Sequence, residues 1–219
     1  MKIAIDGPAG AGKSSIAREV AKQLGLVYVD TGAMYRAVAV YAILNGIEIK
    51  EENFTEDVLD KIDIEIAYDE NGQRIYLCGV DVSERIREAD ASIGASDVAR
   101  IPAVRLKLVE LQRKLSEKTS VIMDGRDIGT YVLPDAQVKI FLTASVDVRA
   151  RRRLLELENK GIVADFESVK KDIEYRDKND SEREFAPLRQ AEDAVVVDTS
   201  DLTISQVIDR ISEIIKGDK

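Results

Sequence analysis

The chain has no histidine, no tryptophan, one cysteine (Cys78) and only four prolines in 219 residues. Without histidine it cannot build serine-type triads, histidine metal sites or imidazole acid–base chemistry. One cysteine can form neither an intrachain disulfide nor a thiolate metal cluster. Its neighbours Tyr76, Leu77 and Val80 suggest a structural strand position for Cys78. No apolar run approaches the eighteen or so residues of a membrane span. Asp6 ends the only N-terminal apolar run, so no cleavable signal is expected and a cytoplasmic location follows. What remains is an ordinary globular composition, 45% apolar and 33% charged. A net charge of -9 repels nucleic acid phosphates and anionic membranes, and favours a small phosphorylated substrate held in a local basic pocket. No segment marks a subunit interface, so a monomer is expected.

Residues Gly7-Pro8-Ala9-Gly10-Ala11-Gly12-Lys13-Ser14 form a complete G-x-x-x-x-G-K-[ST] loop. The run before it, Lys2-Ile3-Ala4-Ile5-Asp6, reads as a buried strand, and Ser14 to Leu24 carries apolar residues at helical spacing. That is the context a phosphate-binding loop requires. Its backbone N–H groups turn inward around phosphate oxygens, and the helix start adds positive potential. Lys13 is expected to reach the β- and γ-phosphates of a nucleoside triphosphate and Ser14 to hold Mg²⁺.

Single strands alternate with helices along most of the chain. Val27–Asp30 reads as a strand, Thr31-Gly32 as a turn, and 33–44 as a helix capped by Asn45-Gly46. Between about 58 and 100 the texture changes: Ile62, Ile64 and Ile66 alternate with polar residues, and Asp69-Glu70-Asn71-Gly72 turns the chain into a hairpin. Helical patterns follow from Glu88 to Leu115, with Pro102 opening a second helix. Further strands are expected at 121–124, 138–142 and 194–198. Charged helices are expected at 146–160 and 166–183, and a closing amphipathic helix at 204–215. The pattern predicts an α/β P-loop fold, with a five-stranded parallel sheet covered by helices on both faces and a hairpin-containing insertion. The expected division is a core (about 1–30, 101–148 and 190–219), a region carrying the hairpin insertion (about 31–100) and a charged helical segment (about 149–165).

A phosphate-binding loop alone does not separate a kinase from a switch or a motor. The Asn/Thr-Lys-x-Asp motif of guanine-reading switches is missing, and the strand after residue 120 ends in Asp124-Gly125-Arg126-Asp127 rather than Asp-Glu. Arg149, Arg152 and Arg153 share one helical face. They read either as a solvated face paired with Glu156 and Glu158, or as a lid closing cations over a transferring phosphoryl group. Arg176, Asp180 and Arg183 also share a face, either as a salt-bridge ladder or as a site for the hydroxyls and phosphate of a nucleotide.

With these residues assembled, the chain resembles the bacterial cytidylate (CMP/dCMP) kinases nearly end to end. The resemblance rests on the loop Gly7–Ser14, on Asp30-Thr31-Gly32-Ala33-Met34-Tyr35-Arg36, on Asp124-Gly125-Arg126-Asp127-Ile128-Gly129-Thr130, and on Ala186-Pro187-Leu188. It implies transfer of the ATP γ-phosphoryl group to CMP or dCMP with Mg²⁺. The ATP phosphates would fall to Gly7 through Ser14, with Ser15 beside them. Tyr35 and Arg36 would line the monophosphate pocket, with Thr31 standing where many relatives have serine. Ser96, Arg105 and Asp127 would read the cytosine edge, although a small helical serine such as Ser96 is also an ordinary packing residue. Arg126 and Arg183 would hold the acceptor phosphate, and Arg176 and Asp180 the sugar. The alternatives are another small-acceptor kinase (UMP, AMP, shikimate or dephospho-coenzyme A) or a nucleotide-binding regulatory switch.

Overall fold

A computed structural model of the chain describes residues 1–70 and 72–217. The elements run β1 (Lys2–Asp6), α1 (Lys13–Leu24), β2 (Val27–Asp30), α2 (Thr31–Leu44), α3 (Glu56–Lys61), β3 (Ile64–Asp69), β4 (Gly72–Leu77) and β5 (Val80–Asp81). They continue with α4 (Ala89–Val98), α5 (Pro102–Lys118), β6 (Val121–Gly125), β7 (Val138–Thr143), α6 (Val146–Asn159), α7 (Phe166–Glu182), β8 (Val195–Asp198) and α8 (Ile204–Lys216). The chain divides into two compact units, one of residues 1–28 and 120–219 and one of residues 29–119.

The first unit holds the five-stranded sheet, in the order β2-β6-β1-β7-β8. Ile3, Ala4 and Ile5 are completely buried, which is why β1 reads as a continuous apolar run rather than an alternating one. β1 pairs in parallel with β6 on one side and β7 on the other, with Asp6 opposite both Gly125 and Phe141. This register sets the loop after β1 beside the loop after β6 at the carboxyl edge of the sheet. In open α/β sheets that edge is where ligands bind. Ile16, Ala17 and Val20 of α1 pack in one core with Val207, Ile208 and Ile211 of α8. Thr203 and Gln206 close the N-terminus of α8 with a reciprocal capping box. α6 and α7 share a small core of Ala150, Val169 and Ile173, and their N-termini are capped by Ser145 and Asp165.

The second unit has its own core, built from α2, α4, α5 and a three-stranded antiparallel sheet in the order β3-β4-β5. Thr31-Gly32 is the first turn of α2 rather than a loop, because the Asp30 side chain accepts the Ala33 N–H at 2.9 Å and caps the helix. The expected hairpin gains a third short strand, β5. Ile62 is not in it, since it caps the short helix α3, which the sequence reading missed. Asp69 pairs with Gly72 as a two-residue turn requires; Asn71, expected in that turn, lies outside the described residues. Cys78 is past the end of β4, exposed and at φ 50°, in the tight turn to β5 rather than in a strand.

α2 and α4 approach closely because their facing residues are small. A Cβ on Gly94 of α4 would lie 3.0 Å from the Ala39 Cβ and 3.3 Å from the Ile49 Cδ1. Overpacking of this kind costs about 1–3 kcal/mol or more. Gly94→Leu should therefore lower the urea-unfolding free energy by at least about 2 kcal/mol. An unchanged denaturation midpoint would mean that α2 and α4 can part without cost.

Candidate active site

The phosphate-binding loop is held by close backbone approach. A Cβ on Gly7 (φ 150°) would lie 1.9 Å from the Leu142 carbonyl oxygen of β7, so no side chain fits there. Gly12 enters α1 at φ 87°, a left-handed conformation that glycine adopts without penalty. The Lys13 ammonium folds back on the loop and donates to the Pro8 carbonyl at 2.7 Å. Ser14 Oγ donates to Asp124 Oδ2 at 2.7 Å, and Tyr28 Oη donates to Asp124 Oδ1 at 2.9 Å. Ser15 is exposed on the first turn of α1.

A charge network lies at the carboxyl end of β6. Arg126 Nε donates to Asp180 Oδ2 of α7 at 2.6 Å. Arg183 reaches Asp127 Oδ1 at 3.2 Å, Asp180 Oδ1 at 3.8 Å and, through Nε, the Ala186 carbonyl at 2.8 Å. Ala186 sits at φ 46°, and the Leu188 N–H donates to the Asp180 carbonyl at 2.7 Å. The Ala186-Pro187-Leu188 segment is thereby tied to both partners of the Asp180–Arg183 pair. Burial alone would raise the Asp180 carboxyl, but Arg126 and Arg183 outweigh it and hold the carboxyl below the usual range. Arg176, partly buried one turn before Asp180, contributes to the same lowering.

The arginine face of α6 is split between three environments. Arg149 is buried: it donates to the carbonyls of Ala144 and Ala9, each at 2.9 Å, and pairs with Asp177 at 2.6 Å. Asp177 in turn accepts the Ala9 N–H at 3.1 Å, so a carboxylate of α7 already occupies a phosphate-binding-loop amide. Arg152 donates to Thr199 Oγ1 at 2.9 Å beyond β8. Arg153 alone keeps the solvated pairing, with Glu156 at 3.0 Å.

The second unit carries the remaining candidates. Thr31, Tyr35 and Arg36 stand on successive turns of α2, and Arg36 Nη2 pairs with Asp30 at 2.8 Å. Arg105, on the first turn of α5, is completely buried with its guanidinium 5.5 Å from the Tyr35 ring centroid. Ser96 is buried on α4.

A family model described as Cytidylate kinase matches residues 3–217. The chain belongs to the cytidylate kinase family. Cytidylate kinases of Oceanobacillus iheyensis and Caldicellulosiruptor saccharolyticus are 52% and 50% identical to it over 215 and 214 residues. Each alignment covers 98% of this chain, and 94% and 95% of those proteins respectively. Among solved structures, a shikimate kinase from Bacteroides thetaiotaomicron aligns over 99% of this chain and 98% of its own, with a TM-score of 0.50 and 14% identity. That likeness concerns the fold alone. As a member of the cytidylate kinase family the chain is an ATP-dependent phosphotransferase acting on nucleoside monophosphates.

Four acids in this arrangement escaped the sequence reading as site residues: Asp6, Asp30, Asp124 and Asp177. Asp6, Asp30 and Asp124 end apolar runs, a position that could have flagged them. Asp177 gave no signal beyond being the acidic neighbour of Arg176. No group of three or more histidine, cysteine, aspartate or glutamate side chains suited to a metal occurs among the described residues. Hard oxygen donors nevertheless fit a Mg²⁺ ion, because the Ser14 hydroxyl donates its hydrogen bond to Asp124 and leaves the oxygen lone pairs for a cation.

Burial pulls the Lys13 ammonium down to about 7, with Arg126 adding to the fall against Asp124, Asp180 and Asp6. A polyphosphate beside the ammonium would favour its charged form, so the pKa rises on binding. Where the free ammonium has lost part of its charge, Mg-ATP binding restores it and takes up protons. Calorimetry at pH 8 in buffers of different ionisation enthalpy should show net proton uptake that disappears in Lys13→Met. Zero uptake in the parent protein would contradict a lowered Lys13 pKa.

Proposed function

We propose that the protein transfers the γ-phosphoryl group of Mg-ATP to the phosphate of CMP or dCMP, giving ADP and CDP or dCDP. An oxygen of the acceptor phosphate attacks the γ-phosphorus as the bond to the β–γ bridging oxygen breaks. A phosphate monoester near neutral pH is already a competent nucleophile, so the lack of histidine costs the reaction nothing. The observation that carries this reading is the paired cation set Arg126–Asp180 and Arg183–Asp127, in a chain about 50% identical to cytidylate kinases throughout its length.

In this reading Gly7 through Ser15 hold the ATP phosphates and Lys13 neutralises charge as the phosphoryl group moves. Mg²⁺, when bound, supplies further charge neutralisation, with Ser14 as its protein ligand. In the first unit Arg126 and Arg183 take the acceptor phosphate, Arg176 and Asp180 its sugar, and Asp127 the cytosine. In the second unit Arg36 offers a phosphate contact, with Thr31 and Tyr35 beside it, and Arg105 and Ser96 offer base contacts. Cytosine presents an amino donor beside a ring acceptor and uracil reverses the pair, so an acid with an arginine separates them. Arg149, Arg152 and Arg153 belong to the lid segment, about 149–165. The arginine pairing favours phosphoryl transfer over a regulatory switch, which has no acceptor to hold. The same reading takes the protein as a cytoplasmic monomer acting on small molecules, away from nucleic acid and membranes, in keeping with its net charge of -9. No described helix is long and apolar enough to cross a membrane.

The test is a coupled diphosphate-release assay with Mg-ATP against CMP, dCMP, UMP, AMP, shikimate and dephospho-coenzyme A. Turnover should be strong on CMP and dCMP, weak on the others, and reduced by at least about 1,000-fold in Lys13→Ala. Stronger turnover on UMP or AMP would move the base-reading roles elsewhere; ATP binding without turnover on any acceptor would favour a switch.

A further inference from the structure

Asp6 has no part in the roles above, yet its carboxylate is one of the most completely used in the first unit. It is the last residue of β1, one position before Gly7, and only 4% exposed. Oδ1 accepts the Ile128 N–H at 2.8 Å and Oδ2 accepts the Gly129 N–H at 2.7 Å, across 122 and 123 residues of chain. These amides open a single π-helical turn (Ile128–Val132), so their N–H groups have no partner within it. They directly follow Arg126 and Asp127. A Cβ on Gly129 would lie 3.4 Å from Asp6 Oδ2 and 3.1 Å from the Lys139 Cδ, so the turn is pressed close to β1 and β7. Two convergent N–H donors on two oxygens of one rigid side chain allow a single orientation of this turn.

We propose that Asp6 is a positioning residue for transfer. As an ionised carboxylate it holds the 128–129 amides and thereby sets how Arg126 and Asp127 are presented, directly beside the phosphate-binding loop. The inference rests on the reading of Arg126 and Asp127 as acceptor-binding groups.

The electrostatic surroundings make the proposal measurable. Lys13 of α1 and Asp127 of the following loop both act on Asp6. Asp124 of β6 is engaged by Ser14 and Tyr28, and Lys139 of β7 by Asp193. Burial pushes the Asp6 carboxyl up to about 6; the Gly129 and Ile128 N–H bonds and Lys13 oppose the rise, and Asp127 adds to it. Protonation converts one oxygen into a donor facing an N–H, which removes one bond and sets two donors against each other. Asp6→Asn does the same at every pH while keeping the shape.

The measurement is kcat/KM for CMP from pH 5 to 8 in the parent and in Asp6→Asn, with thermal unfolding of each at both ends. The acceptor phosphate also titrates near pH 6, but it does so equally in both proteins and cancels in the ratio. The expected ratio is about 10- to 100-fold at pH 8, from the loss of a charge-assisted hydrogen bond. It should shrink to about 2- to 10-fold at pH 5, where roughly nine-tenths of the parent is itself protonated, while the Mg-ATP KM changes less than threefold throughout. A ratio that does not vary with pH, in folded proteins, would mean that Asp6 is merely structural and would overturn the proposal. Arg126→Ala and Asp127→Asn separate the two readings. If they leave the CMP parameters intact, the acceptor roles fail; if they impair turnover while Asp6→Asn does not, only the role of Asp6 fails. Should Asp6→Asn not fold, the amide proton resonances of Ile128 and Gly129 in the unaltered protein should titrate together near pH 6. Flat resonances from pH 5 to 8 would also overturn the proposal.

Discussion

Arg126, Asp127, Asp180 and Arg183 tolerate their removal from water only as a set, and much of the first unit is arranged around that pairing. Arg183 and Asp180 expose 2% and 8% of their side chains, and each contacts two oppositely charged partners or a carbonyl as well. Removing one partner from a buried ion pair costs about 3–5 kcal/mol, because the other charge is left uncompensated. The network therefore resists rearrangement. It also means that the cations are held in place in advance, and preorganised charge is worth more than charge gathered later. Asp177 extends the logic to α6, since one carboxylate joins Arg149 to the Ala9 amide of the phosphate-binding loop.

Backbone geometry supplies the second constraint. β1 is flanked on both sides, so its backbone cannot shift, and its last residue launches a loop whose first glycine presses on the Leu142 carbonyl. The loop, the Asp124 carboxylate on β6 and the turn after Asp127 therefore share one rigid support, the carboxyl edge of three neighbouring strands. Side chains on such a support hold their geometry better than side chains on free loops.

Much of this was legible in the residues because its signals are local. The glycine loop, the five apolar runs and the helical periodicities each carry their own evidence, and the strand–helix alternation leaves few topologies open. Pro102 opens α5 and Gly161 follows α6, as proline and glycine should. The misses were all non-local or decided by competition. Thr31-Gly32 looks like a turn until Asp30 is seen to cap the helix. Ile62 continues an alternating pattern but is claimed by a six-residue helix that the pattern hides. The arginines of α6 share a face, yet their fates depend on Ala9, Asp177, Thr199 and Glu156, three of which are distant in the sequence. Asp6 ends a strand in plain view, but its partners lie more than 120 residues away.

The order of the strands bears on how the chain is made. β1 neighbours only β6 and β7, and β2 lies at the edge beside β6. No strand of the five-stranded sheet can therefore pair before residue 121 has been synthesised. The unit of residues 29–119, by contrast, is continuous in sequence and has its own core. On a ribosome the phosphate-binding loop is made first and becomes structured late, after an entire second unit has emerged between the two halves of its support.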